Sequence, residues 1–460
     1  MGKFYLAAFI VFCNLIIYNL QPNHKADIPV LMKKYGIPGV AVAVIKDSKL
    51  LQVQSYGHRD KKNQIALDSD TLFQAGSISK TVTAWGVLKL VERGGIDLDA
   101  SLTNYLPEEY FSFPLTKEVT VRRLLNHTSG LSSQNYSGYP KGHQLPSLIE
   151  TINGAHGDHR KLRAQNIPGK TFKYTGGGYT LLQFLIEKTS GKSFQKYMEE
   201  EILIPLEMTS TTFLLSDEKK RNMSLAYGIF GQELSYRYFV EQAAAGLHTN
   251  IKDLASFALN TLAIYQHKSS RNVLDSKTLD QMWQVEGSSY GLGYDVISLQ
   301  KGIFLAQHTG ANPGWRSAMV LLPDLGSACV ILTNSDHGGH LIDDVIGNWI
   351  ASETGHVSFN YKQVQTERKI LQCITLNLAF LLGIILFKQT KKRLYSIAWG
   401  ASGVIWSILF YSSLIHPDGW VLSAFMPWGF HVLTYIILSS CLIGSVLPFL
   451  FSPNENKSSK

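Results

Sequence analysis

The stretch Leu72-Phe-Gln-Ala-Gly-Ser-Ile-Ser-Lys80 leads from a short strand-like run into a long apolar helix, which we predict over residues 77–93. A spacing of three residues on a helix puts Ser77 and Lys80 on one face. A lysine amine placed there can take the serine proton and make the hydroxyl a nucleophile. The backbone N–H of Ser77, at the positive end of the helix, can also face a developing oxyanion. The stretch therefore predicts a nucleophilic serine, although the spacing alone equally favours a helix-capping serine.

Other S-x-x-K matches in the chain show how little this spacing decides by itself. Each has an ordinary structural interpretation: a helix N-cap before an apolar helix, a solvated serine in a charge run, and a serine beside a turn. In that order they are Ser193–Lys196, Ser216–Lys219 and Ser298–Lys301. Ser77 differs from them because it stands between a strand-like run and a long apolar helix.

Two later stretches carry groups that could line a cleft. Pro168-Gly-Lys-Thr-Phe-Lys-Tyr-Thr-Gly-Gly-Gly-Tyr179 combines Tyr174 with a glycine run that permits tight turns or close approach of a ligand. His308-Thr-Gly-Ala-Asn-Pro-Gly-Trp315 follows a strand-like run, where a substrate could bind by sheet-like hydrogen bonds. Read alone, the first also fits a helix entry with a core tyrosine, and the second a hairpin turn with an incidental histidine. We interpret His127-Thr-Ser-Gly130 as a structural turn.

The order of the predicted elements indicates an α+β fold. Strand-like runs lie at both ends of the polar part of the chain and helices lie between them, which predicts one sheet completed by both ends and an inserted helical region. The predicted strands cover residues 39–45, 50–55, 304–307, 317–322 and 328–332. The predicted helices cover residues 28–35, 77–93, 121–125, 180–189, 194–203, 251–265 and 340–352.

Taken together and in this order, the motifs resemble the serine β-lactamase/penicillin-binding-protein family. The closest branch contains class C β-lactamases, D-alanyl-D-alanine carboxypeptidases and related esterases. Supporting stretches are Leu124-Leu-Asn-His-Thr-Ser-Gly-Leu131, Ala244-Ala-Gly-Leu247 and Asp253-Leu-Ala255. The resemblance covers residues 26–355 and implies a β-lactamase/transpeptidase-like domain, in which an antiparallel sheet is flanked by helices and joined to an all-helical region.

The resemblance also implies roles for individual residues. Ser77 would be the acylated nucleophile, Lys80 would accept or relay its proton, and Tyr174 would assist proton transfer to and from the leaving group. The backbone N–H groups of Ser77 and Ala311 would form the oxyanion hole. The strand motif His308-Thr309-Gly310 matches the family's K-T-G: it would add His308 to the catalytic residues, and Gly176, Thr309 and Gly310 would contact the substrate. No cofactor and no metal site are expected.

Two positions depart from the family pattern. Gly176 stands where the tyrosine motif often has asparagine, so an amide contact with an acylamino substrate is lost. His308 replaces the lysine of K-T-G, and with an ordinary pKa of about 6.5 it would be mostly neutral at pH 7. Both changes favour an esterase-like or peptidase-like enzyme over a true β-lactamase.

The charge of the chain gives little indication of a macromolecular partner. The 460 residues hold 43 Lys and Arg against 35 Asp and Glu, a net charge of +8, and these basic residues are scattered. We therefore expect no nucleic-acid binding. The expected partners are a small-molecule or peptide substrate and membrane lipid.

Apolar segments at both ends predict membrane attachment. Residues 1–21 read as a signal peptide or an N-terminal anchor, and residues 370–451 as three membrane helices at about 370–387, 394–415 and 430–450. The basic loop 388–393 and the tail 452–460 should stay in the cytoplasm, which puts the polar domain outside.

The sequence thus predicts a multi-pass cell-membrane protein with an extracytoplasmic serine hydrolase domain. It would work through an acyl-enzyme on D-amino-acid peptides, esters or related amides. The alternative is a non-catalytic sensor or partner-binding membrane protein that uses the same pocket. A transporter formed by the C-terminal helices is disfavoured, because those helices hold almost no ionisable residue.

Overall fold

The computed structural model describes residues 27–132, 138–154, 161–268, 273–285, 287–299 and 302–355. The helices are α1 (Ile28–Tyr35), α2 (Ile78–Glu92), α3 (Val121–Leu125), α4 (Leu148–Ile152), α5 (Gly176–Ser190), α6 (Phe194–Met198), α7 (Asp217–Lys220), α8 (Gln242–Ala245), α9 (Ile251–Tyr265), α10 (Ser276–Trp283) and α11 (Gly338–Thr354). Short 3-10 helices cover Leu102–Asn104, Glu108–Tyr110 and Pro323–Leu325, and a π-helical turn covers Glu199–Leu203.

The strands belong to one large sheet and three small ones. They are β1 (Gly39–Lys46), β2 (Lys49–Asp60), β3 (Ile65–Ala66), β4 (Phe73–Gln74), β5 (Tyr139–Pro140), β6 (Ala226–Tyr227), β7 (Glu233–Leu234), β8 (Arg237–Tyr238), β9 (His248–Thr249), β10 (Asp295–Ser298), β11 (Phe304–Asn312), β12 (Trp315–Leu322) and β13 (Ser327–Thr333). The large sheet has seven antiparallel strands in the order β10-β11-β12-β13-β1-β2-β3.

Strands from the two ends of the domain meet in the middle of this sheet. β1 pairs with β13 from Val40 opposite Thr333 to Ile45 opposite Ala328. The prediction that strands from both ends complete one sheet is therefore confirmed for the large sheet, and so is the α+β class.

Helices cover both faces of the centre of the sheet. α9 packs against β1 and β13, and α11 packs against β12 and β13. β12 and β13 are accordingly buried along their whole length instead of alternating between core and solvent.

Helix α2 is buried on almost every side. Its polar side chains Ser79, Lys80 and Thr81 are buried together with its apolar ones, and the Trp85 ring lies 4.9 Å from Phe257 of α9. A helix surrounded in this way belongs to the core, where a charged amine would be costly. The position of Lys80 is therefore unusual for a lysine.

Two predicted boundaries were wrong in ways that bear on the site. The strand predicted over residues 304–307 continues to Asn312, because β11 and β12 pair as far as the turn at Pro313-Gly314, so His308 lies inside a strand. The helix predicted over residues 180–189 begins at Gly176, because the Thr175 side chain caps it by accepting the Gly177 N–H at 3.1 Å.

Among the residues that the structure describes, no helix combines the length and apolar character needed to cross a membrane. The predicted membrane segments at residues 1–21 and 370–451, and the tail 452–460, lie outside the described residues.

Candidate active site

A glycine turn holds Ser77 against the edge of strand β11. Gly76 has a φ of +52°, and a Cβ there would lie 2.5 Å from the backbone nitrogen of Ala311, so glycine fits both the dihedral and the space. The carbonyl of the preceding residue, Ala75, accepts a hydrogen bond from the Ser317 hydroxyl at 2.8 Å. The Ser77 and Ala311 backbones are therefore close together, as an oxyanion hole made of both N–H groups requires.

Gly310 also allows strand β11 to approach the turn that holds Ser77. A Cβ at Gly310 would lie 1.9 Å from the Ala75 carbonyl oxygen and 2.3 Å from the Ser317 hydroxyl. Any larger residue would push β11 away from the Ser77 turn. Its neighbour Thr309 is exposed on the same strand, where a ligand can reach it.

The Lys80 amine is the nearest base to the Ser77 hydroxyl. Nζ lies 3.0 Å from Ser77 Oγ and donates to the Ala244 carbonyl at 2.8 Å. Lys80 is 1% exposed, and this burial lowers its pKa to about 7. A large fraction of the amine is therefore neutral at pH 7 and able to accept a proton.

Tyr174 completes the contacts around the serine. Its hydroxyl forms a hydrogen bond with Ser77, and its ring centroid lies 4.9 Å from Lys80 Nζ. The residue is 40% exposed, so a ligand can reach it, while the protein atoms around its phenol partly desolvate it. This desolvation raises the pKa of the phenol, and the bond with Ser77 partly opposes the rise. Tyr174 is therefore a protonated donor at neutral pH.

His308 lies beside this group and is buried and neutral. Its Nδ1 is 2.6 Å from the Thr309 carbonyl oxygen and its Nε2 is 2.8 Å from the Tyr290 hydroxyl. A carbonyl can only accept, so Nδ1 carries the proton and Nε2 accepts from Tyr290. Burial, reinforced by Lys80, lowers the pKa of His308 to about 3, far below the ordinary value expected from the sequence.

The structure therefore brings Ser77, Lys80, Tyr174, His308 and Ala311 into one cluster from three distant parts of the chain. Gly176 follows two residues after Tyr174, buried at the start of α5. With hydrogen as its side chain, it offers no amide to the cleft, as expected from the sequence.

His127 belongs to the cluster, although the sequence indicated only a structural turn. The turn is real, because His127 has a φ of +60° just after α3. Its ring lies 4.4 Å from the Tyr174 ring and 4.7 Å from the Tyr290 ring, and its Nδ1 accepts the Thr175 N–H at 3.3 Å. The positive φ of a non-glycine residue is the kind of strain that accompanies functional sites.

Tyr290 also lies in the cluster, although it was not predicted from the sequence. It is 5% exposed, and its hydroxyl donates to Nε2 of His308. Its ring also lies 6.1 Å from that of Tyr174. No motif or periodicity marks this residue, because its contacts come from residues far away in the chain.

The other S-x-x-K matches occupy structural positions. Ser216 is exposed and caps α7 by accepting the Lys219 N–H at 3.2 Å. Ser193 stands at the N-cap position of α6, and Ser298 is the last residue of β10. Lys301 lies outside the described residues.

Comparison with known proteins identifies the family of the chain. The family model of β-lactamases matches residues 25–346, well over half of the chain. The chain belongs to the β-lactamase family. This family is part of a serine hydrolase superfamily that also includes penicillin-binding proteins, and the resemblance expected from the sequence is confirmed.

The β-lactamase-family relatives are distant in sequence. The chain is 24% identical over 398 residues to protein flp of Staphylococcus aureus strain N315, covering 80% of this chain and 77% of that protein. It is 24% identical over 274 residues to the putative penicillin-binding protein PbpX of Bacillus subtilis strain 168, covering 58% and 63%. The octameric penicillin-binding protein homologue of Pyrococcus abyssi superposes with a TM-score of 0.56 at 26% identity, covering 73% and 74%.

Proposed function

We propose that this β-lactamase-family protein is a serine hydrolase that works through an acyl-enzyme on esters, D-amino-acid peptides or related amides. One observation carries the proposal: a buried Lys80 amine, with its pKa lowered to about 7, lies 3.0 Å from the Ser77 hydroxyl. Such an amine is matched to general-base catalysis near neutral pH.

In the acylation step, neutral Lys80 takes the Ser77 proton while Oγ attacks the substrate carbonyl carbon. The carbonyl oxygen becomes an oxyanion, which the N–H groups of Ser77 and Ala311 stabilise. As the bond to the leaving group breaks, the Tyr174 phenol gives that group a proton, and Lys80 returns its proton to the phenolate. Water then takes the place of the leaving group: it gives a proton to Tyr174 while Tyr174 gives its own proton to Lys80, and the water oxygen attacks the acyl carbon. Lys80 returns a proton to Ser77 Oγ as the acyl bond breaks, which releases the acid and restores the Ser77 hydroxyl.

The test is hydrolysis of a p-nitrophenyl ester panel and of D-alanyl-D-alanine peptides by purified wild type, Ser77→Ala and Ser216→Ala. Ser216 is a matched control because it has the same spacing to a lysine. We expect Ser77→Ala to lower kcat/KM by at least about a thousandfold and Ser216→Ala to leave it unchanged. Turnover that survives in Ser77→Ala would refute the proposal. Saturable ligand binding without turnover in wild type would favour the sensor instead.

We also propose that residues 1–21 and 370–451 attach this domain to a membrane, with the domain on the extracytoplasmic side. The apolar runs and the basic loop at 388–393 support this arrangement. Protease added to intact cells should remove the domain while reporters fused after residue 460 stay protected. A domain that remains protected, or a protein found in the soluble fraction, would overturn this topology.

A further inference from the structure

In the described part of the chain, side chains that can be uncharged at neutral pH lie around Tyr174. They include Ser77, Lys80, His127, Tyr290 and His308. A leaving group that receives a proton from Tyr174 must lie next to this group of side chains. These side chains therefore determine whether a charged leaving group is stabilised in the site.

His308 has no hydrogen-bonding capacity left for a ligand. Its Nδ1–H is used by the Thr309 carbonyl, and its Nε2 is used by the Tyr290 hydroxyl. The ring is also buried, at 5% exposed. This strand position consequently gives an anion neither a charge nor a free N–H.

Lys80, whose pKa is about 7, is a cation in part of the molecules at neutral pH, but its amine is already engaged. It donates to Ser77 Oγ and to the Ala244 carbonyl, and just 1% of the residue is exposed. The proposed function needs its neutral form. A substrate anion that drew a proton to Lys80 would therefore oppose acylation.

Phe172 adds an exposed aromatic ring to the site, near Tyr290 and His127. Phe172 is 42% exposed, and its ring lies 5.9 Å from Tyr290 and 6.1 Å from His127. The segment is fixed in place because Lys173 N–H donates to the His127 carbonyl at 2.9 Å. The Lys173 amine bonds to Gln165 at 2.6 Å. The exposed ring of Phe172 can thus cover an apolar leaving group.

A carboxylate next to the scissile bond would be desolvated in these surroundings without a paired charge, which is costly, whereas an uncharged ester would not be. We propose that the site takes uncharged acyl donors, esters or amides with apolar leaving groups, and discriminates against donors that carry a carboxylate beside the scissile bond. This inference rests on the proposed function, because it assumes that Ser77 attacks the donor and Tyr174 serves the leaving group.

The experiment compares benzoyl-D-alanyl-thioglycolate, which carries a free carboxylate, with its methyl ester. Each kcat/KM is divided by the rate of alkaline hydrolysis of the same compound, which removes the difference in leaving-group reactivity. Wild type should favour the methyl ester by at least about tenfold after this correction. A corrected ratio near one, or a preference for the carboxylate, would overturn the inference.

Two variants test whether the missing cation causes the preference. His308→Lys adds a charge in the strand, and Phe172→Arg adds one at a half-exposed position. Phe172→Leu is the uncharged control for the second. We expect the preference to fall several-fold in Phe172→Arg and in any folded His308→Lys, but not in Phe172→Leu. Equal preferences in Phe172→Arg and Phe172→Leu would contradict the placement of the leaving group.

The same measurements separate this inference from the proposed function. If wild type hydrolyses both thioesters and Ser77→Ala hydrolyses neither, the proposed function stands and the corrected ratio decides the inference. If Ser77→Ala is as active as wild type on both compounds, the proposed function itself is wrong.

Discussion

Ser77–Lys80 and Ser216–Lys219 have the same spacing in the same chain, and their surroundings make them different. At Ser216 the hydroxyl is exposed and accepts the backbone N–H of Lys219, while the Lys219 amine bonds to the Thr209 and Thr211 carbonyls at 3.2 and 3.3 Å. At Ser77 the hydroxyl accepts from the Lys80 amine itself. The first pair caps a helix, and the second can move a proton.

Burial is the cause of the difference. Lys80 lies inside the core on a helix surrounded by protein, and burial lowers its pKa to about 7. Gly76 and Gly310 then let strand β11 approach the serine. The same S-x-x-K spacing therefore lies inside the core at Ser77 and at an exposed helix cap at Ser216.

The largest expected effect comes from removing the Lys80 amine, and removal of the Lys219 amine is the matched comparison. Lys80→Met keeps an apolar chain of similar length but has no base, so kcat/KM should fall by about a thousandfold or more. Lys219→Met should change kcat/KM less than about twofold, because its amine bonds to the Thr209 and Thr211 carbonyls and has no part in the proposed proton transfer. Both are measured by ester hydrolysis on variants shown to be folded by circular dichroism. Similar losses in the two variants would break the comparison.

The next largest effect concerns Tyr174, which lies beside the Ser77–Lys80 pair. Tyr174→Phe keeps the ring over Lys80 but cannot protonate a leaving group, so we expect kcat to fall by about a hundredfold. The loss should be smaller for p-nitrophenyl esters, whose leaving group needs no proton, than for alkyl esters. A loss of the same size on both substrates would assign Tyr174 a positioning role.

The pH dependence sharpens the contrast between the two lysines. Because the neutral form of Lys80 is the base, kcat/KM should rise with pH and level off above a pKa of about 7. A cation at His308→Lys would disfavour protonated Lys80, so the rise should move to lower pH, by about one unit. Rate profiles of wild type and variant between pH 5 and 9 check this. An unmoved profile would remove position 308 from the proton-transfer network.

The smallest expected effect is on stability. Ser216→Ala removes the hydroxyl that accepts the Lys219 N–H, so the free energy of unfolding should fall by about 1 kcal/mol. Urea unfolding followed by circular dichroism measures the change, with activity retained. A variant as stable as wild type would show that this cap contributes nothing.

Local signals explain which parts of the fold could be predicted from the sequence. Helices over residues 28–35, 121–125 and 251–265 were predicted with the bounds observed. Thr120 and Asn250 begin the last two by side-chain caps, and Gly36 ends the first with a φ of +68°. Such signals lie within a few residues of the boundary that they set.

The parts that could not be predicted depend on contacts between distant residues. The resemblance of the combined motifs to a known family pointed to Ser77, Lys80 and Tyr174, but Tyr290 meets His308 only after β10 and β11 have paired. The low pKa of His308 likewise comes from burial, which spacing does not report. His127 was placed correctly as a turn, and its ring contacts depend on the path of the segment 167–175.

The central claim is that Ser77, alone among the serines of the S-x-x-K matches, is a reactive nucleophile. Wild type and Ser77→Ala are each treated with a fluorophosphonate and digested, and the modified peptide is located by mass spectrometry. The account predicts one adduct, on the peptide that contains Ser77, and none in Ser77→Ala. An adduct on Ser193, Ser216 or Ser298, or labelling that persists in Ser77→Ala, would contradict it.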